Sequence, residues 1–302
     1  MISVFLNDEF GKTHAEKNPD MRLLRQLLCV IFLAGVVAAV LFPTTAEARK
    51  HVAKKKDAYH GVSADAALLF SDSGWHKYYA RNIYEKVLPA STTKVMTAII
   101  VLERKRLDDI VTVSDNAPKV LPSKIDIKPG EKYRVRDLLY AALLMSSNDA
   151  AVALAESVAG SEDKFVELMN DRARRLGAKN TLFANAHGLP SDRPQYTTAY
   201  DMYLMFREAL KNQFFREVIK IKYLTIHSEG GRKINLKSHN NALFKGWKRN
   251  VYGKTGYTTA AKACFVGYVE KGQEIIIIAV FGCSHRWEDV KYILEHYGGI
   301  DL

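Results

Sequence analysis

The positions of the apolar residues divide the chain into three regions. Between residues 91 and 211, apolar side chains recur at the three- and four-residue spacing of helices. Before and after that block, short alternating or continuous apolar runs separated by turn residues are typical of strands. The predicted helices are 91–107, 135–147, 148–160, 161–177 and 198–211, with a last one at 288–298. The predicted strands are 65–70, 76–82, 219–227, 232–238, 251–259, 263–270 and 274–282.

This order of elements predicts an α+β fold. The first two strands flank Ser71-Asp72-Ser73-Gly74, which is a turn signal, and they predict a hairpin. Strands from the two ends of a chain most economically share one sheet. We therefore predict an antiparallel sheet flanked by helices, with a helical subdomain inserted beside it. We expect the functional site in the cleft between the inserted helices and the sheet.

The first 48 residues have the pattern of an export signal. Basic residues follow Met21, an uncharged run of 16 residues covers 27–42, and Ala46 and Ala48 supply the small residues of a signal-peptidase site. The run is shorter than the roughly 20 residues that a membrane-spanning helix needs. We expect a true start at Met21, cleavage after Ala48 and export to the periplasm or cell envelope. A retained signal that anchors the protein is the alternative.

The formal net charge of +11 favours anionic partners. Basic residues are dense in 49–61, which predicts a solvated tether in front of a domain that covers 62–302. We expect this tether to contact anionic membrane or cell-wall polymers. Nucleic acid is not an expected partner of an exported chain. The sequence shows no metal-ligand cluster, phosphate-binding loop or cofactor motif, so we expect no metal and no cofactor.

Ser91 and Lys94 form the first candidate for chemistry. On a helix, residues three apart share a face, so the hydroxyl and the amine would approach hydrogen-bonding distance. A desolvated lysine loses its proton readily and would then accept the proton of the serine. The spacing alone also fits a plain helix cap. Ser161 and Lys164 have the same spacing, but acidic residues fill that first turn, so we interpret Ser161 as a cap.

Two further segments bring polar groups toward the same cleft. A loop at 145–149 would present Ser146 and Asn148, with Asp149 as the cap of the following helix. In Lys254-Thr255-Gly256, the alternation of a strand sends Lys254 and Gly256 to one face, and a glycine there would let a substrate backbone approach closely.

Serine-x-x-lysine, serine-x-asparagine and lysine-threonine-glycine, in this order, match the motifs of penicillin-binding proteins and class A β-lactamases. The chain resembles the low-molecular-mass serine D-alanyl-D-alanine carboxypeptidases, peptidase family S11, from about residue 66 to 297. The similar stretches are PASTTKVMTA, SSNDAAVALAE, NAHGLP, TTAYDM and GKTGYT. The resemblance implies a β-lactamase/transpeptidase-like fold, peptidoglycan stem peptides as substrates and β-lactam antibiotics as covalent inhibitors.

The resemblance also implies a role for each motif residue. Ser91 would be the acylated nucleophile, Lys94 its general base and Ser146 a proton relay to the leaving amine. Asn148 would hold Lys94 and the amide of the substrate. The site would be completed by Lys254 and Thr255 at the terminal carboxylate, by the backbone N–H groups of Ser91 and of Tyr257, after Gly256, around the oxyanion, and by Arg286 near the carboxylate pocket.

Other functions remain to be weighed. A class A β-lactamase would add a glutamate for deacylation, but Glu167 lies in an ordinary amphipathic pattern and Ser147 replaces the aspartate of that second motif. A D,D-endopeptidase stays open, because this chain stops at Leu302 like that branch, although SSNDAA favours the carboxypeptidase. A wall-binding module without chemistry would not need every polar residue of the mechanism. His187 is interpreted as a loop histidine that satisfies backbone groups.

The two cysteines beyond the signal, Cys264 and Cys283, are predicted to be free. With a tight turn at 271–272, Cys264 would face Ala279 and Cys283 would lie four residues further along. That separation exceeds the reach of a disulfide.

Overall fold

Strands from both ends of the chain form the central sheet, as the sequence predicts. The computed structural model describes residues 61–302; the predicted signal, the start at Met21 and nearly all of the tether lie outside the described residues. The central antiparallel sheet has five strands, β1 (Ala66–Ser71), β2 (Lys77–Arg81), β7 (Tyr252–Thr258), β8 (Lys262–Lys271) and β9 (Glu274–Cys283). Their order across the sheet is β2-β1-β9-β8-β7.

Helices occupy the middle of the chain. They are α1 (Lys94–Arg104), α2 (Val135–Leu144), α3 (Asn148–Ala159), α4 (Glu162–Arg175), α5 (Ala199–Ala209), the unpredicted α6 (Gln213–Val218) and the final α7 (Arg286–His296). At α4, Ser161 Oγ accepts a hydrogen bond from the backbone N–H of Lys164, so its interpretation as a plain cap is confirmed. In the described part of the chain, no helix is long and apolar enough to cross a bilayer.

Two smaller sheets lie apart from the central one. They are formed by β3 (Ile110–Thr112) with β4 (Lys132–Arg134), and by β5 (Tyr223–His227) with β6 (Lys233–Lys237). The prediction of a strand from residue 219 was wrong at its start, because α6 and the turn after it occupy 213–222. The β5–β6 hairpin buries Ile226 and Leu236 in the core on the helical side of the molecule.

The central sheet is buried on both faces, which explains the near-continuous apolar runs of β8 and β9. Leu68 and Phe70 of β1 contribute to the core on the helical side. Leu69, between them, packs into a second core with Val290 and Ile293 of α7. Strand β7 lies at the edge of the sheet, where it packs against the turn that carries Ser91.

The register between β8 and β9 differs from the prediction. The turn contains two residues, 272 and 273, and a bulge interrupts the pairing between Ala263 and Phe265. As a result Val266, rather than Cys264, faces Ala279, and Cys283 pairs with Ala263. Both cysteines are free, as predicted, but sequence distance is not the reason. Cys264 belongs to the helical-side core and Cys283 to the α7-side core, so they lie on opposite faces.

Candidate active site

The turn that carries Ser91 is tightly bent. Pro89 leads into a 3-10 turn, Ala90–Thr93, and α1 follows directly. Ala90 has φ +45°, and Thr92 Oγ1 donates to the carbonyl of Pro89 at 2.6 Å. Ser91 therefore lies one turn ahead of Lys94, which is the first residue of α1, and its side chain is half-buried at the cleft.

Lys94 is buried, and its amine has three oxygen neighbours. Nζ lies 3.2 Å from Ser91 Oγ, 2.6 Å from Asn148 Oδ1 and 2.9 Å from the carbonyl oxygen of His187. Burial, and then the charge of Lys254, hold the pKa of Lys94 well below its usual value, while Asp149 opposes this shift. A neutral amine has two N–H donors and one lone pair. The two donors match the amide and carbonyl oxygens, which leaves the lone pair for the proton of Ser91.

A second lysine reaches the other side of the cleft. Lys254 on β7 is buried, and its amine donates to Ser146 Oγ at 2.9 Å and to the carbonyl of Thr255 at 2.8 Å. Burial, followed by the nearby charge of Arg286, lowers the pKa of Lys254 to about 7. Ser146 has φ +62° and is itself buried, so the loop after α2 holds its hydroxyl against this amine.

Asn148 and Asp149 are the first two residues of α3, and their side chains contact different parts of the structure. Asn148 begins α3, accepts from Lys94 and donates through Nδ2 to the carbonyl of Pro122. The prediction that Asp149 caps α3 was wrong, because Asp149 is the second residue of the helix. Its carboxylate accepts from Ser147 Oγ and, at 3.2 Å, from the backbone N–H groups of Ile125 and Ile127. Asp149 thus fastens a distant loop to the start of α3.

Gly256 makes room for the enzyme's own backbone. A Cβ at this position would lie 3.0 Å from the backbone nitrogen of Ser91 and 3.1 Å from Ala90 Cβ. From the sequence, we expected Gly256 to let a substrate backbone approach closely. In the structure, the turn that carries Ser91 lies against Gly256. Arg286, at the start of α7, donates to the carbonyls of Gly256 at 3.0 Å and Cys264 at 3.1 Å. Burial lowers the pKa of Arg286.

The loop behind Lys94 packs just as closely. A Cβ on Gly188, which has φ +87°, would overlap the carbonyl oxygen of Ala90 at 1.8 Å. The Nδ1 of His187 accepts from the backbone N–H of Leu189 at 3.2 Å, as predicted for a loop histidine. Burial, and then the charge of Lys94, lower the pKa of His187 to about 3. The neutral ring supports this loop, and its carbonyl contacts Lys94.

One cleft of about 650 Å³ collects most of these groups. Its lining brings Ser91 and Ser146 together with Thr255, Tyr257 and Arg286, and the Tyr257 side chain is 67% exposed. Lys94, Lys254 and Asn148 lie behind the lining and reach it through Ser91 and Ser146. The sequence analysis missed the remaining wall, which is Pro122, Ser123, Met145, Lys237, Ser238, His239 and Asn241. These residues carry no motif, and only the fold brings them to the cleft.

The rival β-lactamase reading requires Glu167 near this cleft. Glu167 lies instead in the interior of α4, where its side chain is exposed, and it is not part of the cleft lining. In the described residues, no group of three or more His, Cys, Asp and Glu side chains is arranged to hold a metal ion.

Comparisons with known proteins agree with this geometry. The family model for D-alanyl-D-alanine carboxypeptidases matches residues 51–285. The carboxypeptidase DacF of Bacillus subtilis is 34% identical over 87% of this chain and 66% of its own length. DacA of Escherichia coli is 36% identical over 73% of this chain and 56% of its own length. This chain thus spans just under two thirds of the length of the first of these relatives, and less of the second.

Solved structures share the fold. A D-alanyl-D-alanine carboxypeptidase from Mycobacterium tuberculosis superposes with a TM-score of 0.73 and 28% identity, over 80% of this chain and 92% of its own. A variant of a Streptomyces DD-transpeptidase superposes with a TM-score of 0.74 and 27% identity, over 80% of this chain and 100% of its own. The predicted transpeptidase-like α+β fold is confirmed, and the chain belongs to the D-alanyl-D-alanine carboxypeptidase family of serine peptidases, peptidase family S11.

Proposed function

We propose that this protein is a penicillin-sensitive D-alanyl-D-alanine carboxypeptidase that removes the terminal D-alanine from peptidoglycan stem pentapeptides. The observation that carries the proposal is the buried Lys94 amine, 3.2 Å from Ser91 Oγ, with both of its other partners hydrogen-bond acceptors. This arrangement suits a neutral lysine that takes a proton from a serine nucleophile.

Acylation begins at Ser91. Its Oγ attacks the carbonyl carbon of the penultimate D-alanine while its proton passes to Lys94 Nζ. The backbone N–H groups of Ser91 and Tyr257 donate to the developing oxyanion, and Gly256 lets these two segments stay close. Asn148 holds the amine of Lys94 in place through its side-chain oxygen.

Collapse of the tetrahedral intermediate breaks the peptide bond. The leaving amine of D-alanine needs a proton, and Ser146, hydrogen-bonded to the Lys254 amine, passes one to it. Ser146 regains a proton from Lys94, which thereby returns to its neutral form. The terminal carboxylate binds near Thr255, with Lys254 and Arg286 supplying positive potential. Water then attacks the acyl carbon and gives a proton to the neutral Lys94, and Lys94 passes that proton to Ser91 Oγ as the ester bond breaks, which releases the shortened peptide and restores Ser91.

The proposal extends to partners and location. β-Lactam antibiotics acylate Ser91 because they resemble the acyl-D-alanyl-D-alanine end, and the names of the relatives support this reading. Residues 62–302 form the peptidase domain, which acts in the periplasm or cell envelope after cleavage behind Ala48. The basic tether at 49–61 contacts anionic membrane or wall polymers.

A second outcome of the same acyl-enzyme is transfer to an amine instead of water. The likeness to the full length of a Streptomyces protein named as a DD-transpeptidase favours testing it. D,D-endopeptidase cleavage of crosslinks is the other alternative. It requires a longer chain in the place of the terminal D-alanine.

The discriminating experiment offers the purified protein a soluble pentapeptide, a 4,3-crosslinked dimer, and the pentapeptide with an added amine acceptor. Release of free D-alanine from the pentapeptide is the expected result. Penicillin should label Ser91 and block turnover, while Ser91→Ala should do neither. Cleavage of the dimer with no D-alanine released would instead support the endopeptidase. Labelling at another residue would refute the site.

A further inference from the structure

The wall of the cleft formed by Lys237 continues into an exposed surface of lysines and aromatic rings. From residue 220 to 249 the sequence has eight Lys and Arg residues and one acidic residue, Glu229. Glu229 lies in the turn between β5 and β6, where Arg134 pairs with it at 3.2 Å. At the opposite end of the hairpin, Lys237 pairs with Tyr223 beside the cleft, next to Lys222.

Phe244 is the centre of that surface. The ring of Tyr223 meets the Phe244 ring edge to face at a centroid distance of 5.5 Å. The amines of Lys237 and Lys222 lie 5.4 Å and 5.9 Å from the Phe244 centroid. Lys245 lies over the neighbouring Trp247 ring at 5.8 Å. We call the group Lys222, Tyr223, Lys237, Phe244 and Lys245 the basic aromatic surface.

This surface has unusual exposure and charge for a structural patch. Tyr223 is 62% exposed, and all three lysines are exposed. Among residues 61–302, the ion pairs do not include Lys222, Lys237 or Lys245, although Arg232 and Lys248 of the same segment are paired with carboxylates. Exposed rings beside unpaired cations suit a ligand with flat apolar faces and negative charges.

We propose that the basic aromatic surface binds the polymeric form of the substrate, uncrosslinked peptidoglycan, outside the stem peptide that is being cleaved. Sugar rings of the glycan strand would stack on Tyr223 and Phe244, and carboxylates of neighbouring stem peptides would pair with the lysines. Continuity supports this occupant, because Lys237 belongs both to the surface and to the cleft lining. The inference rests on the proposed function, since the cleft must hold one stem peptide of that polymer.

The test compares two variants of equal charge. Lys222→Gln/Lys245→Gln alters the surface outside the cleft, and Lys164→Gln/Lys179→Gln removes two exposed lysines of α4 and the turn after it. Co-sedimentation with insoluble uncrosslinked peptidoglycan and kcat/KM for soluble pentapeptide are measured for each. The surface variant should bind the polymer about tenfold more weakly, since each exposed charge contact contributes modestly. Its turnover of soluble pentapeptide should match wild type.

The salt dependence of polymer binding and the substitution of an aromatic residue test the proposal independently. Binding of wild type to the polymer should weaken as salt is raised from about 50 to about 300 mM, and the surface variant should show a smaller dependence. Tyr223→Ser should weaken polymer binding without a change in net charge. Equal losses in the two lysine variants would overturn the proposal, because general charge would then explain binding.

Binding to lipid vesicles tests whether the basic aromatic surface binds a membrane instead of the polymer. If the surface variant loses binding to anionic phospholipid vesicles while retaining polymer binding, the proposal is overturned in favour of a membrane. Co-sedimentation does not require turnover, so it can be repeated with Ser91→Ala. A wild-type protein that binds polymer through this surface but releases no D-alanine would refute the proposed function and leave the binding surface intact.

Discussion

Replacing Lys94 by alanine tests the centre of the proposed chemistry. The substitution removes the amine that lies 3.2 Å from Ser91 Oγ, which is the base that we propose for this serine. Loss of proton transfer to a positioned side chain typically costs ~10² to 10⁴ in rate. That range corresponds to about 3 to 5 kcal/mol on the acylation barrier. We expect a decrease of at least about a hundredfold.

Effects on the fold run in opposite directions and partly cancel. Without the amine, Asn148 Oδ1 and the carbonyl of His187 lose a buried donor, at roughly 1–3 kcal/mol each. Against this, the variant does not have to bury an amine when it folds, and burial is the main cause of the lowered pKa of Lys94. Water can also enter the space at the cleft. We therefore expect Lys94→Ala to remain folded, with a smaller change in unfolding free energy than the lost hydrogen bonds alone imply.

The assay measures, by rapid mixing, the rate at which a fluorescent penicillin labels the protein covalently. Mass spectrometry confirms that the label is on Ser91. Thermal unfolding checks the fold of each variant. The chain supplies its own control, because Lys164 stands three residues after Ser161 with the same spacing but is exposed on α4. Lys164→Ala should acylate like wild type. Acylation of Lys94→Ala at the wild-type rate, with the fold intact, would remove lysine as the base.

Three further changes follow from the geometry. Gly256→Ala would place Cβ 3.0 Å from the Ser91 nitrogen, so β7 and the serine turn must separate, and penicillin acylation should fall about 10- to 100-fold with a small change in Tm. Burial lowers the pKa of Lys254 to about 7, so above that pH the unfolded chain binds more protons than the folded chain. Urea unfolding should therefore show a free energy of unfolding that rises from pH 7 to 9, and Lys254→Met should reduce that slope. Asp149→Asn cannot accept the same hydrogen bonds from Ser147 and Ile125, so thermal unfolding should show a loss of about 1–3 kcal/mol.

Local patterns predicted most of the helices and the strands of the central sheet, but not α6, β3 or β4. Apolar spacing identified the helices around Lys94 and Ser161, because such a pattern is contained within a single segment of the chain. The sheet that joins both ends followed from the same reasoning. The separate β5–β6 sheet was not predicted, since periodicity does not reveal which strands pair.

The register between β8 and β9 and the backbone partners of Asp149 could not be predicted from the sequence. The bulge between Ala263 and Phe265 shifts Cys283 opposite Ala263, and no residue in that stretch announces a bulge. Asp149 follows a loop and precedes apolar residues, as a cap would, but its carboxylate also accepts from the backbone N–H groups of Ile125 and Ile127 in a distant loop. Such contacts depend on tertiary packing, which a local pattern does not contain.

We expect the charge states of the two buried lysines to depend on the bound substrate. Burial and then the charge on Lys254 lower the pKa of Lys94, and burial and then the charge of Arg286 lower the pKa of Lys254 to about 7. A terminal carboxylate bound beside Thr255 would raise the pKa of Lys254 and keep it protonated as a partner of Ser146.

A substrate whose terminal carboxylate is amidated should therefore show a different pH profile. With the acid, turnover should persist as pH rises past about 7, because the carboxylate holds the proton on Lys254. With the amide, the pKa of Lys254 stays near its value of about 7, and kcat should decline as pH rises through that value. The measurement is kcat for the two pentapeptides between pH 6 and 9, corrected for the stability of the enzyme. Superimposable profiles would show that Lys254 does not couple the carboxylate to proton transfer, and the proposed preference for a free terminus would then need another cause.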